Sequence, residues 1–174
     1  MRPETFKSDW GAPFGASQVI VPAGQAVEIE LAGTDFSVAY ADREDGGTLE
    51  VEVDGRRMLE TATNVSYVTA AGESVYLENR RGVRALAFGV HSLRIAAVER
   101  SVALLGVFSY DTRANRRHER IVRGTAYPGE TLKFSTPFKA RPIVLTTGGL
   151  KAARASAAEV EFTGDAGGYE IVGE

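Results

Sequence analysis

The sequence contains no cysteine. That excludes disulfide staples, a thiolate nucleophile and Cys-ligated zinc, although it does not fix the compartment. Histidine is almost as scarce, with only His91 and His118. They lack the spacing of a metal-ligand pair, and neither lies near a Gly-x-Ser-x-Gly nucleophile turn, which is missing. The paired glycines Gly46-Gly47, Gly148-Gly149 and Gly167-Gly168 are not followed by the Lys-Ser/Thr of a phosphate-binding loop. Long apolar runs are also wanting: nothing approaches the roughly 20 residues that cross a bilayer as a helix. The start, with Arg2, Pro3, Glu4 and Lys7, has no apolar core of signal-peptide length. Excess charge of one sign is missing too. At a net charge of −3 there is no bulk attraction to nucleic acid or to anionic membranes. These absences predict a chain with no catalytic residue, no metal and no cofactor, that is not an enzyme, binds no nucleic acid and inserts in no membrane. They also predict a protein that stays in the cytoplasm where it is made, or leaves by lysis or as part of a particle.

What is present is two-residue periodicity punctuated by glycine, of which there are 19 against 6 prolines. Val27, Ile29 and Leu31 alternate with Glu28 and Glu30; Leu49, Val51 and Val53 alternate with Glu50, Glu52 and Asp54. Such alternation makes antiparallel strands with one wet face. Asp54-Gly55 supplies the positive-φ pair of a tight hairpin. Further strands are expected over 18–22, 34–40, 64–69, 73–78, 83–88 and 91–99, with Asn79-Arg-Arg-Gly82 as one separator. The stretch Val102 to Arg113 opens with an almost unbroken apolar run, too short for a membrane, which reads as a strand buried on both faces. Turns every 8–12 residues indicate a sandwich or barrel. The predicted fold class is therefore all-β: a jelly-roll-like antiparallel β-sandwich over 17–113, followed by a smaller β unit over 114–174. In the latter, Ala152 to Ala158 is compatible with a helical turn, and strands at Val160–Thr163 and Tyr169–Val172 are expected to pair across Gly164–Gly168.

Residues 1–16 have neither period. Phe6, Trp10 and Phe14 stand among Gly11, Pro13 and Gly15, which oppose a helix. They predict an extended attachment arm whose rings dock either on their own domain or on a neighbouring subunit. Arg113, Arg116, Arg117, Arg120 and Arg123 form a basic run. It is either a solvated segment balancing acidic loops such as Asp42–Asp45 or a site for phosphate or acidic glycan. Tyr40, Tyr67, Tyr76, Tyr110 and Tyr127 are candidate sugar-stacking rings, or half-buried packing.

Two stretches carry a resemblance. Val51-Glu-Val-Asp-Gly-Arg-Arg-Met58, Gly89-Val-His-Ser-Leu-Arg94 and Leu104-Leu-Gly-Val-Phe-Ser-Tyr-Asp-Thr-Arg113 are similar to the jelly-roll modules that precede SGNH-type esterase domains. The esterase's Gly-Asp-Ser motif does not occur, so only an accessory sandwich is implied. Thr131-Leu-Lys-Phe-Ser-Thr-Pro-Phe138, Arg141-Pro-Ile-Val-Leu145 and Gly168-Tyr-Glu-Ile171 look like the compact β unit of H-type lectins and phage fibre tips, which trimerise. The combination resembles virion proteins of tailed phages: head spikes, capsid decorations and fibres. The resemblance implies a structural protein on the surface of such a particle, made in the host cytoplasm. Its implied partners are other virion proteins, copies of itself and host-surface polysaccharide. A free-standing carbohydrate-binding module is the alternative.

Overall fold

The protein, in a computed structural model, is described over residues 18–65, 67–68, 74–75, 78–113 and 118–174. The attachment arm with Phe6, Trp10 and Phe14 lies outside the described residues, as do Arg116 and Arg117 and the side chains of Tyr67 and Tyr76. The described residues form strands and no helix. In chain order the first ten strands are β1 (Val19–Val21), β2 (Ala26–Gly33), β3 (Asp35–Ala41), β4 (Thr48–Val53), β5 (Arg56–Ala62), β6 (Tyr67–Val68), β7 (Ser74–Val75), β8 (Glu78–Val83), β9 (Gly89–Ala97) and β10 (Val102–Tyr110). The last six are β11 (Arg120–Ala126), β12 (Thr131–Lys133), β13 (Ile143–Thr146), β14 (Leu150–Ala155), β15 (Glu159–Gly164) and β16 (Gly167–Gly173).

Two four-stranded sheets run in the orders β1-β10-β3-β8 and β2-β9-β4-β5. The pairings are nested. The first strand lies beside the tenth, the second beside the ninth, the third beside the eighth, and β4 and β5 close the hairpin. A long hairpin rolled up in this way is a jelly roll. The expected all-β class is thus observed. The turn of that hairpin has φ 51° at Asp54 and 77° at Gly55, the mirror-image turn that the strand twist favours.

The alternating pattern sets the core. Leu49, Val51 and Val53 stand opposite Ala97, Ile95 and Leu93, and all six are buried. Val102 to Val107 of β10 is buried at every position. Its alternate residues Ala103 and Leu105 join Ala39 and Ala41 in a second apolar cluster, with Phe108 packed on it. β10 lies between β1 and β3 in its sheet, so both its edges are paired, and the burial of consecutive residues shows that both its faces are covered as well.

By contacts the chain divides into two compact units. One takes the described part of Met1–Glu30 with Asp35–Arg84 and Ser92–Ser109; the other takes Leu31–Thr34, Ala85–His91 and Tyr110–Glu174. The second unit holds two three-stranded sheets, β11-β16-β13 and β12-β15-β14. Its core is Ala126, Phe138, Leu150, Val160, Phe162 and Ile171, with Leu132, Phe134, Val144 and Tyr169 packed against it.

Three local expectations are corrected. The Asn79–Gly82 separator is strand β8, and the strand expected over 83–88 ends at Val83. β8 is an edge strand, where charged side chains are tolerated because one side of the ladder and one face meet water. The Ala152–Ala158 stretch holds most of β14, bulged between Ala152 and Arg154, rather than a helical turn. A short alanine run cannot nucleate a helix unaided, and the ladder to β15 satisfies its backbone. Finally, β15 and β16 do not pair. They are the central strands of different sheets, and the chain crosses between them at Gly164, where φ is 88°.

Candidate functional site

Of the ionisable groups singled out from sequence, His91, Glu50 and Glu52 are held by structural partners. His91 is buried, with Nε2 2.8 Å from the Ala87 carbonyl oxygen, so it is a satisfied core histidine. His118 is exposed and distant in sequence from it. Glu50 pairs with Arg57 at 2.9 Å and Glu52 with Arg94 at 3.1 Å, so the two carboxylates are half-buried members of ion pairs on the outer strand face rather than freely solvated. Among the described residues no group of three His, Asp or Glu side chains is placed to hold a metal.

The basic run is not a solvated segment at its two best-placed members. Arg113 has a side chain only 9% exposed. Its Nε and Nη2 donate to the two carboxylate oxygens of Asp111 at 2.8 and 2.7 Å. Its guanidinium carbon lies 3.5 Å from the Phe88 ring centroid, and Nη1 approaches Glu119 at 3.6 Å and Glu174 at 3.9 Å. The hydrogen bonds it donates to Asp111, assisted by the charges of the three carboxylates, hold its pKa above the ordinary arginine value despite burial. Arg120 lies 3.7 Å over the Phe138 ring and donates to the Thr136 carbonyl at 2.6 Å. Both guanidinium groups staple the second unit. Sequence reasoning missed this because the partners are scattered from Phe88 to Glu174. Arg123 is exposed and pairs with Glu170 at 2.5 Å.

In the first unit, the loop Asp42–Gly47 is tied to Thr63, whose N–H and hydroxyl both donate to the Gly47 carbonyl, at 2.9 and 2.8 Å. Beside it is a shallow, open depression of about 470 Å³ lined by Arg43, Glu44, Asp45 and Arg100. Its two cations are balanced by two anions, so it offers no net attraction to an acidic ligand. Asp42, at the start of the same loop, is fully buried and accepts from Asn79 Nδ2 at 3.1 Å. Burial raises its pKa, and the Asn79 hydrogen bond and Arg81 offset this in part. A carboxyl whose folded pKa exceeds its unfolded one destabilises the fold once ionised. Stability therefore falls as pH rises from the unfolded value through the folded one, then levels. Asp42→Asn is expected to raise the melting temperature at about pH 7. No such gain is expected near pH 3, below the ordinary aspartate value of about 3.9. Melting curves at the two pH values check this, and an equal gain at both would refute it.

The second unit gathers three glycine turns at one end. Tyr127-Pro128-Gly129-Glu130 is closed by the Glu130 N–H donating to the Tyr127 carbonyl at 3.1 Å, with φ 84° at Gly129, as a type II turn requires. Its exit is tied to β15, since Gly129 N–H donates to the Phe162 carbonyl and Phe162 N–H to the Glu130 carbonyl, both at 2.9 Å. The Glu130 carboxylate accepts from the Tyr127 N–H at 2.9 Å. Thr147–Leu150 is the second turn, with positive φ at Gly148 and Gly149. Gly164–Gly167 is the third, joined to the second by Asp165 N–H donating to the Gly149 carbonyl at 3.2 Å. The Ala126–Gly167 pairing sets the first turn beside the third. From this end projects Tyr127, 63% exposed, on a backbone fixed by four hydrogen bonds. Of the other candidate rings, Tyr40 is fully buried and Tyr110 is 44% exposed. The sequence named five tyrosines alike; only tertiary structure distinguishes Tyr127.

No protein-family model matches the chain, and no curated protein matches it. Among solved structures it is similar in part to a family two carbohydrate esterase from Clostridium thermocellum, solved in complex with cellohexaose, at 21% identity and a TM-score of 0.38 over 54% of this chain. It is also similar to the catalytic unit of a GH87 alpha-1,3-glucanase from Streptomyces thermodiastaticus, at 24% identity and a TM-score of 0.39 over 56% of this chain. The matched part spans 27% of the esterase and 20% of the glucanase, so about half of this chain shares an outline with a minor part of each of these carbohydrate-active proteins.

Proposed function

We propose that the chain is a structural recognition protein of a tailed-phage-like particle, a head spike, decoration or fibre, that contacts host-surface polysaccharide without cleaving it. The observation that carries the contact is Tyr127. A large ring held in water on a rigid turn loses little conformational entropy when a ligand stacks on it, and its face is apolar while its hydroxyl stays wet. Acceptors for sugar hydroxyls stand at the same end of the unit: the carboxylates of Glu130 and Asp165 and the hydroxyl of Thr147. A lone ring gives a weak site. Display of many copies on a particle converts weak sites into avid attachment when geometry allows several to engage together.

The test is retention of the purified chain on immobilised host polysaccharide, beside Tyr127→Ala. The alanine variant is expected to bind about tenfold more weakly, roughly 1.4 kcal/mol, with an unchanged melting temperature. Equal binding by both would remove Tyr127 from the site. The particle role is tested separately by immunogold labelling of purified particles. Label confined to the soluble fraction would favour a free-standing carbohydrate-binding module.

A further inference from the structure

The two sheets of the second unit have outer faces of opposite character. On β12-β15-β14 the register aligns Thr131, Glu161 and Arg154 in one row, Lys133 with Glu159 in the next, and Lys151 with Thr163 beyond. Every one of these is polar, as a water-facing sheet requires. On β11-β16-β13 the residues pointing away from the core are Ile121, Val172 and Ile143 in one row and Arg123, Glu170 and Leu145 in the next. Four of these six are aliphatic. Ile121 is 43% exposed and Leu145 55% exposed, the latter among the most exposed aliphatic side chains described. Nothing in the core demands them, since Val122, Val144 and Ile171 already fill the inner face.

We infer that this face is a docking surface for a second copy of the same chain, joined through a two-fold axis. The argument is complementarity. An isologous interface requires that if residue i meets residue j, then j meets i. Two such sheets laid face to face, with the axis parallel to the strands and between β11 and β16, exchange those two columns and leave Ile143 and Leu145 of β13 at the rim of the contact. Arg123 of each copy then lies over Glu170 of the other, and Ile121 of each over Val172 of the other. The intrachain pair Arg123–Glu170 becomes a ring of four alternating charges, shielded by aliphatic side chains on one side. An axis along β16 itself would instead set Glu170 against Glu170, so the charge pattern selects one arrangement. Aligned packing of twisted sheets at about 30° accommodates it. The footprint is small beside interfaces of standard size, so the association is weak and reversible, suited to reinforcement on a particle.

Sedimentation equilibrium of the full chain tests this without polysaccharide, so this inference and the glycan reading fail independently. The wild type is expected to show a reversible monomer–dimer equilibrium. Arg123→Glu and Glu170→Arg are each expected to weaken dimerisation at least tenfold, because each sets like charges against one another across the axis. An equal mixture of the two variants is expected to regain wild-type association as a heterodimer. Intrachain stability cannot produce that rescue, since neither variant carries an intact pair. Ile121→Thr keeps strand propensity, breaks no ion pair, and is expected to weaken association similarly. A monomer at millimolar concentration, a trimer, an unrescued mixture, or an Ile121→Thr chain that associates normally would each overturn the inference.

Discussion

Replacing Phe162 by alanine is expected to unfold the smaller unit at physiological temperature. Phe162 is 1% exposed at the centre of β15, itself the central strand of its sheet, and stacks on Tyr169 with centroids 5.1 Å apart. It packs with Val160, Leu150, Phe138 and Ile171. Truncating a fully buried phenylalanine costs about 3–5 kcal/mol, the transfer term plus the cavity left behind. A β unit of this size is stable by only a few kcal/mol, because little of its surface is buried. The loss is therefore comparable to the whole stability. Limited proteolysis should show new cleavage within residues 120–174, and the phenylalanine-to-leucine variant should resist far better because most of the volume is kept. Wild-type resistance in the alanine variant would show that this cluster is not what holds the unit together.

The second large effect belongs to Arg113. Its substitution by methionine keeps the length of the side chain and some packing on Phe88 but removes the cation that neutralises Asp111, Glu119 and Glu174. Breaking a buried pair by deleting one partner typically costs about 3–5 kcal/mol, since the other charge stays behind. Here three carboxylates stay behind, although Asp111 is partly wet and its share is discounted accordingly. Arg113→Lys is expected to recover only part of the loss, because an ammonium cannot donate to both Asp111 oxygens in one plane. The sign with pH follows from linkage. A raised arginine pKa contributes stability below its unfolded value and loses it only in strong alkali, so the wild-type contribution is constant through neutrality. In the methionine variant the cost comes from carboxylate repulsion, so the gap from wild type should narrow in acid, where carboxylates are neutral. Chemical denaturation at neutral and mildly acidic pH measures it. A gap that does not change with pH would assign the loss to packing on Phe88 alone.

These two sites mark where reading the chain by pattern succeeded and where it stopped. Alternation of Leu49, Val51 and Val53 with Glu50 and Glu52, and the Asp54-Gly55 pair, predict the β4–β5 hairpin as found. The unbroken apolar run of β10 predicts burial on both faces, also as found. Such signals are local: one strand and one turn carry them whole. Asn79–Gly82 and Ala152–Ala158 misled because their composition says loop or helix, while an edge position and a neighbouring ladder make them strands. The corrected β15–β16 link failed in the same way. Sequence adjacency favours a hairpin, but β16 carries Ile171 and Tyr169 into the same core from the other sheet.

By itself the amino-acid sequence determined the class of fold: period two and glycine punctuation are properties of neighbours along the chain. Tertiary structure decided the surroundings of individual residues. It made Arg113 a buried staple, set Tyr127 apart from the other tyrosines, and put Ile121, Val172, Arg123 and Glu170 on one face. The reason is physical. Burial, charge pairing and the sharing of a face depend on which distant strands lie side by side, and that pairing is the outcome of closing the whole core at once.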